Sequence, residues 1–362
     1  MQAAVEHLPC RRTRVLVADE GDEWIGLTPV ARGLRWRKVL APALTVSAHP
    51  YCFLDAPLMA RGREEEAAVA LLLAARQGVG LVAFDRLPVE GPAASAITTA
   101  CEAFGAKPVE WRRFERAALN RRAVDDYVDS MLSGRARREL RRRRRLLEDE
   151  FGACVEVVER AGDPQAVEDF LTMEAAGWKG ERGTALLTVD AARFFRAVCR
   201  TFADAGRLQL LELRAGTRAV AMQCSLVSGD GLFCFKIAYD ETFARLAPGT
   251  QLMAETASAF HRRPDLQWVD SCTEPGAEAV NRLWPDRRQL VTLLVPGDAA
   301  TAGVATLEAA LAARLARAAR AGLPARVRRG RAAAAWPSPR PTPRSGRTSS
   351  RARAASSTSG RR

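Results

Sequence analysis

The stretch "FARLAPGTQLMAE" places Arg245, Pro248, Gly249 and Thr250 where an apolar strand-like run gives way to a helical pattern. Proline near the start of a helix loses nothing, because its missing N–H would be unpaired there anyway. Gly249 carries no side chain to block an approaching ligand. The free amide hydrogens of the first turn, with the positive end of the helix dipole, favour an anion such as a pyrophosphate. Arg245 and Thr250 add donors from the loop and the first turn. The same letters also serve as a plain helix start, so the segment has both readings. Farther on, "LWPDRR" ends in Arg287 and Arg288. That pair suits a bidentate grip on a carboxylate or phosphate, or ordinary structural ion pairs. Lys236 alternates with Phe233, Phe235 and Ile237, which puts it on one face with Cys234 and Ala238. It reads either as a sheet-surface residue or as a contact to a ligand.

The surrounding pattern supplies elements to hold these residues. Residues 14–18 and 24–30 read as strands around "DEGDE"; 63–77 reads as a helix, followed by the buried strand "VGLVAF". A helix over 94–105 leads to the strand "PVEWRRF", completing a small alternating unit that ends near residue 118. From 121 one long helix is expected, because Val124, Val128, Leu132, Ala136 and Leu140 recur every four residues. Its run "RARRELRRRRR" then lies largely on the solvated side, either as a salt-bridged face or as a basic rim beside a phosphate-bearing ligand. After "CVEVVER" come helices over 164–177 and about 190–205, then three strands, 208–214, 218–228 and 232–240. The helix at 248–262, a strand at 266–272, a loop and the last strand "QLVTLLV" complete the order.

Composition narrows the class. Apolar residues make up 48% of the 362, enough for a sizeable core. No apolar run approaches the roughly 18 residues of a membrane span. The start lacks the apolar core of a secretory signal. Eight cysteines without metal-like spacing to three histidines fit a reducing, cytoplasmic setting and no metal. The net charge of +13 is all in residues 301–362, which hold 14 arginines and Glu308 as the lone acid, leaving 41 basic and 41 acidic residues before them. The body is neutral, so no specific nucleic-acid partner is expected for it. The basic tail is free to touch anionic surfaces. Its later part, rich in Arg, Ala, Pro and Ser, is expected to be disordered.

The blocks "GWKGERGTAL", "FKIAYDETFARLAPGTQLMAE" and "DSCTEPGAEAVNRLWPDRR" resemble the GNAT-like acyltransferases of the CelD type, relatives of the FemAB peptidyltransferases. These motifs fall in the family's order across 174–290, with looser similarity from about 14 to 297. The resemblance implies an α/β (α+β) fold of two GNAT-like halves, each a mixed, mostly antiparallel sheet flanked by helices. Residues 1–118 would form a degenerate first half without a site of its own, 119–297 the acyltransferase half, and 298–362 a tail helical at most at its start. It implies that the helix at 248–262 receives the pyrophosphate of an acyl-CoA, with Ile237, Ala238, Arg245, Pro248, Gly249, Thr250 and Gln251 around it. In the family's loop, Q/R-x-x-G-x-G/A, Arg245 matches, whereas Pro248 and Thr250 replace the two glycines. Acetyl-CoA is the donor so implied, and a small molecule or saccharide of exopolysaccharide or cell-envelope synthesis the acceptor.

Acyl transfer asks a protein to position an acceptor against a thioester carbonyl and to manage one proton. Asp240 and Asp270 are the candidate proton acceptors, with a turn cap and an ion pair as their respective structural readings. Tyr239 is the candidate donor to the leaving thiolate. Glu174, Trp178, Lys179 and Lys236, with Arg287 and Arg288, are the candidate acceptor contacts. Two other outcomes stay open: a FemAB-type transferase taking its donor from tRNA through the Arg-rich helix, and a non-catalytic scaffold of envelope synthesis.

Overall fold

A computed structural model of the chain describes residues 2–8, 13–46, 49, 51–177, 186 and 189–322. A short helix, α1 (Gln2–His7), comes first. Gly21, at φ 63°, then turns the chain between β1 (Thr13–Glu20) and β2 (Glu23–Gly33), a backbone geometry that glycine adopts without strain. A third strand, β3 (Ala43–Val46), lies antiparallel to β2, and the two-residue β4 (Leu58–Met59) pairs with β2 as well. Helix α2 (Glu64–Arg76) crosses over to β5 (Leu81–Pro88), which runs parallel to β3. Helix α3 (Pro92–Ala103) and the long strand β6 (Val109–Asn120) follow.

The second half repeats this plan. After α4 (Tyr127–Met131) and α5 (Gly134–Phe151) come β7 (Val155–Glu159), α6 (Pro164–Ala176) and α7 (Val189–Asp204). Gly216, at φ 60°, turns β8 (Leu208–Ala215) into β9 (Arg218–Ser228), and β10 (Gly231–Tyr239) adds the third strand. A 3-10 turn over Glu241–Leu246 leads into α8 (Pro248–His261), and β11 (Trp268–Asp270) then runs parallel to β10. Helix α9 (Glu278–Leu283), strand β12 (Asp286–Pro296) and helix α10 (Ala299–Gly322) close the described chain.

The last strands of the two halves change places. β6 of the first half pairs antiparallel with β11 of the second, while β12 of the second pairs antiparallel with β5 of the first and with β6. One sheet results, in the order β1-β2-β3-β5-β12-β6-β11-β10-β9-β8-β7, antiparallel except at β3/β5 and β10/β11. A cut at residue 118 would therefore leave β12 among the strands of the first half.

Helices α2 and α3 cover the first half through Leu72, Phe84 and Ile97. In the second half α8 packs Met253, Ala257 and Phe260 on one face of the sheet, and α6 and α7 pack Phe170 and Phe195 on the other. Truncating a buried phenylalanine such as Phe260 would cost about 3–5 kcal/mol.

Three expectations need correction. The single helix from 121 is two: Ser133, extended at ψ 156°, caps α5 by accepting from the Ala136 N–H, so the four-residue stripe runs across a break. The loop after 273 contains α9, and β11 covers only three residues of the expected 266–272. Lys236 does not share a face with Cys234. A bulge between Phe233 and Lys236 offsets the alternation, so Cys234 joins the core under α8 while the Lys236 ammonium lies 5.0 Å over the Tyr51 ring. The expected helical start of the tail is present as α10, which buries Ala305 against Trp36, Leu81 and Leu294. The tail beyond residue 322 lies outside the described residues.

Candidate functional site

Strands β10 and β11 run side by side for three residue pairs, Gly231–Phe233 against Trp268–Asp270, and then part. Beyond that point β10 continues to Tyr239 while the other chain leaves for α9. The gap is a cleft of about 310 Å³, walled by Ile237 and Tyr239 of β10, by Ala277 and Val280 beside α9, and by Pro248, Gly249 and Thr250 of α8. Its lining is mostly apolar and its floor is the start of a helix, a combination that suits an apolar group joined to an anionic one.

The helix start itself is bare. Ala247, at φ 52° and ψ 52°, sits in the left-handed region and caps nothing with its side chain. Gln251 N–H returns to the Ala247 carbonyl at 3.1 Å, but no group among the described residues accepts from the N–H of Gly249 or Thr250. The first turn holds no acid. Gly249 has a packing role as well: a Cβ there would stand 3.2 Å from Cδ1 of Tyr239. A bulkier residue would meet the tyrosine ring before it met any ligand.

The structure separates the other expected residues. Arg245 is exposed and pairs with Glu150 at 3.0 Å, outside the cleft lining. Gln251 is buried and donates to the Leu246 carbonyl at 3.0 Å, which ties the 3-10 turn to α8. Ala238 faces the opposite core, among α6 and α7. Asp240 caps the 3-10 turn: its carboxylate accepts from Thr242 N and Oγ1 and pairs with Arg218 at 2.6 Å. Burial pushes its carboxyl upward, but the bonds from Thr242 and Arg218 outweigh burial and hold it below the usual carboxylate range. Asp270 is fully buried and shared by two arginines, Arg116 at 2.6 Å and Arg288 at 3.2 Å. Neither aspartate lines the cleft. Arg287 spends its guanidinium on the carbonyls of Asn281, Trp284 and Asp286, so it locks α9 to β12 and does not pair with Arg288 as a clamp. Tyr239 is in the cleft, and burial, with the nearby Glu241 charge, raises its hydroxyl pKa.

On the opposite face of β10 lies a second group. Glu174 is buried and accepts from Leu186 N–H at 2.9 Å, holding the end of the segment after α6. With Ile237, Ala238, Tyr239 and Glu241 it lines a small recess next to the cleft. Trp178 and Lys179 lie outside the described residues. Sequence reasoning missed the contribution of the first half to this place. Tyr51 stacks on Phe194 at 5.2 Å and Phe53 sets its edge against Phe235 at 5.7 Å. Cys52 Sγ stands 3.2 Å from His49 Nε2, a thiol–imidazole contact carried by "HPYC", the local spacing that could have revealed it. Burial, with the charge of the amino terminus, lowers the His49 pKa to about 4, so the ring is neutral at pH 7. Burial and the Glu174 charge raise that of Tyr51.

A larger cavity, about 620 Å³, lies instead between α6 and α7 and is lined by none of the expected residues. Among the described residues no cluster of three or more His, Cys, Asp or Glu gathers as a metal site. No helix among them is long and apolar enough to cross a membrane.

Comparison with known proteins agrees with this architecture. No curated protein matches the chain in sequence. Among solved structures, the C-terminal domain of a putative lysylphosphatidylglycerol synthetase from Agrobacterium fabrum aligns with a TM-score of 0.51 at 13% identity, covering 85% of this chain and 91% of that one. The L-PGS structure from Bacillus licheniformis aligns with a TM-score of 0.52 at 12% identity, covering 83% and 90%. At these identities the likeness is one of fold. Residues 134–279, which contain β7 to β11, α5 to α8 and most of the cleft lining, match the family model described as the acetyltransferase (GNAT) domain.

Proposed function

We propose that this chain is a GNAT-type acyltransferase that moves an acyl group, acetyl in the simplest case, from acyl-CoA to an amine or hydroxyl acceptor. The observation that carries the reading is the parting of β10 and β11 over a helix start with two unpartnered amides and no acid in its first turn. The diphosphate of the donor rests on the N–H groups of Gly249 and Thr250, and its arm runs along Ile237 and Tyr239. Tyr239 is placed to hand its hydroxyl proton to the departing sulfur as the acceptor takes the acyl group. Asp240 and Asp270 act as turn cap and core ion pair, not as bases. The acceptor enters from the face of Glu174 and Lys236, with Tyr51 of the first half beside them. The CelD-type resemblance makes saccharide and cell-envelope precursors the acceptors to screen first, in a cytoplasmic setting.

Calorimetric titration of the full chain with acetyl-CoA tests this. The expected result is one site per chain, weakened by added pyrophosphate. A folded protein that takes up no acetyl-CoA contradicts it.

One observation favours a second donor, an aminoacyl-tRNA. Half of the eight arginines of α5 are paired: Arg137 with Asp129, Arg142 and Arg143 with Glu139, and Arg144 with Glu148 and Glu255. Arg135, Arg138, Arg141 and Arg145 have no acid partner among the described residues and fall along one side of the helix. Salt-sensitive tRNA binding by the chain, with no uptake of acetyl-CoA, would favour this donor.

A further inference from the structure

Two guanidiniums meet at the buried Asp270 carboxylate, Arg116 fully buried and Arg288 with 22% of its side chain exposed. Arg116, 2% exposed, engages both oxygens of this carboxylate, with Nε 2.6 Å from Oδ1 and Nη2 2.6 Å from Oδ2. That pair is already neutral. Arg288 then brings a second guanidinium to the same carboxylate through a single longer contact, Nη1 to Oδ2 at 3.2 Å. Its other N–H groups have no partner among the described residues. Cys272, next in the cluster, is a buried thiol held neutral by its surroundings. A guanidinium mostly out of water, beside a like charge and with donors to spare, is costly unless something anionic completes it.

The space for such a group exists. Arg288 borders a cavity of about 160 Å³, lined also by Asn120, Trp268 and Gln289. The Arg288 Cζ lies over the Trp268 ring, 4.5 Å from its centre. The ring is fixed there from three sides. Gly231 leaves room for it, since a Cβ at that position would stand 2.1 Å from the indole. Its Nε1 donates to Asp230 at 3.1 Å, and Phe233 meets it edge-on at 5.1 Å. Glu90 at the rim is exposed, so it does not neutralise Arg288 from within.

We propose that Arg288, backed by Trp268, is a recognition site for a phosphate or carboxylate group of the acyl acceptor. Arg116 and Asp270 form the neutral platform beneath it, and Asn120 lies at its side, while the Gln289 amide donates to Glu115 at 2.9 Å. This extends the acyltransferase reading and rests on it for the word acceptor. The anion site itself stands on the charge imbalance and the cavity.

The test is thermal unfolding of the full chain with sodium phosphate in one arm and sodium succinate in the other, each against chloride at matched ionic strength. At least one anion is expected to raise the midpoint of the wild type and of Thr250→Glu, and its apparent dissociation constant to rise about tenfold or more in Arg288→Gln. Which anion protects tells phosphate from carboxylate. Without added anion, Arg288→Gln is expected to melt at or above the wild-type temperature, because it removes an uncompensated charge, whereas Arg116→Gln melts well below it. Three results would overturn the proposal: protection by neither anion, protection unchanged in Arg288→Gln, or a loss of midpoint in Arg288→Gln as large as in Arg116→Gln. Protection lost only in Thr250→Glu would place the anion at the start of α8, ending this proposal while leaving the donor cleft intact.

Discussion

Helices α2 and α8 occupy the same station in their halves, each lying in chain order between the third strand and a strand parallel to it. Their first turns are opposites. α2 opens on Glu64, Glu65 and Glu66, so carboxylates already answer its dipole and would repel a phosphate. α8 opens on Pro248, Gly249 and Thr250, with no acid. β3 and β5 pair along all four residues of β3, and β10 and β11 along all three of β11, with a cleft beyond the second pairing. One topology thus appears once with a helix start closed by carboxylates and once with an open one. Under the proposed function, the first half is a degenerate GNAT-like lobe that supplies sheet and the residues beside the proposed acceptor face.

The sharpest way to break this contrast is to make α8 resemble α2. Thr250→Glu puts a carboxylate in the first turn, where it favours the helix but opposes a diphosphate. Acetyl-CoA binding should weaken by about 2–3 kcal/mol, roughly 30- to 150-fold, by titration calorimetry, with no loss of thermal stability. Unchanged affinity would mean that the two helix starts do not differ in function.

Next in size is a pH effect at the joint between the halves. Asp55, 2% exposed, lies on the segment that carries Tyr51 and Phe53, and burial raises its pKa to about 7 despite the Arg86 charge. Its folded value is above the unfolded one near 4, so its stabilising share is full below about pH 4 and lost as pH rises through about 7. Urea unfolding should show a fall on the order of 2 kcal/mol over that window, and Asp55→Asn should remove most of it. An identical slope in the variant would assign the titration elsewhere.

A smaller effect probes the cleft wall. Ala279 is exposed on α9 and lines the opening. Ala279→Trp should fill it and weaken acetyl-CoA binding by about 1.4 kcal/mol, tenfold, leaving the fold stable. The smallest effect belongs to the closed copy: Glu64→Gln with Glu65→Gln should cost a few tenths of a kcal/mol to about 1 kcal/mol of stability and leave acetyl-CoA affinity untouched.

Much of the open copy was legible in the sequence because its signals are local. Glycine turns marked the hairpins, and Pro248-Gly249 marked the start of α8 within the chain order of the motif. What was not legible depends on partners far along the chain. Arg116 and Asp270 are 154 residues apart, and no period or spacing announces that they meet. The exchange of β6 and β12 is likewise invisible, since an alternating strand pattern says which face is buried and not which neighbour it joins. The stripe from Val124 to Leu140 misled because apolar spacing carries across a cap, and only Ser133, a residue that caps helices, betrays the break. Lys236 was misplaced because a bulge moves a side chain to the other face without altering composition.

The central claim is that the amides at the start of α8 hold the diphosphate of a thioester donor in the β10/β11 cleft. A crystal structure of the chain with coenzyme A tests it most directly. The diphosphate is expected against the N–H groups of Gly249 and Thr250, with the pantetheine arm along Ile237 and Tyr239. Coenzyme A bound elsewhere, with those amides left to solvent, would contradict it.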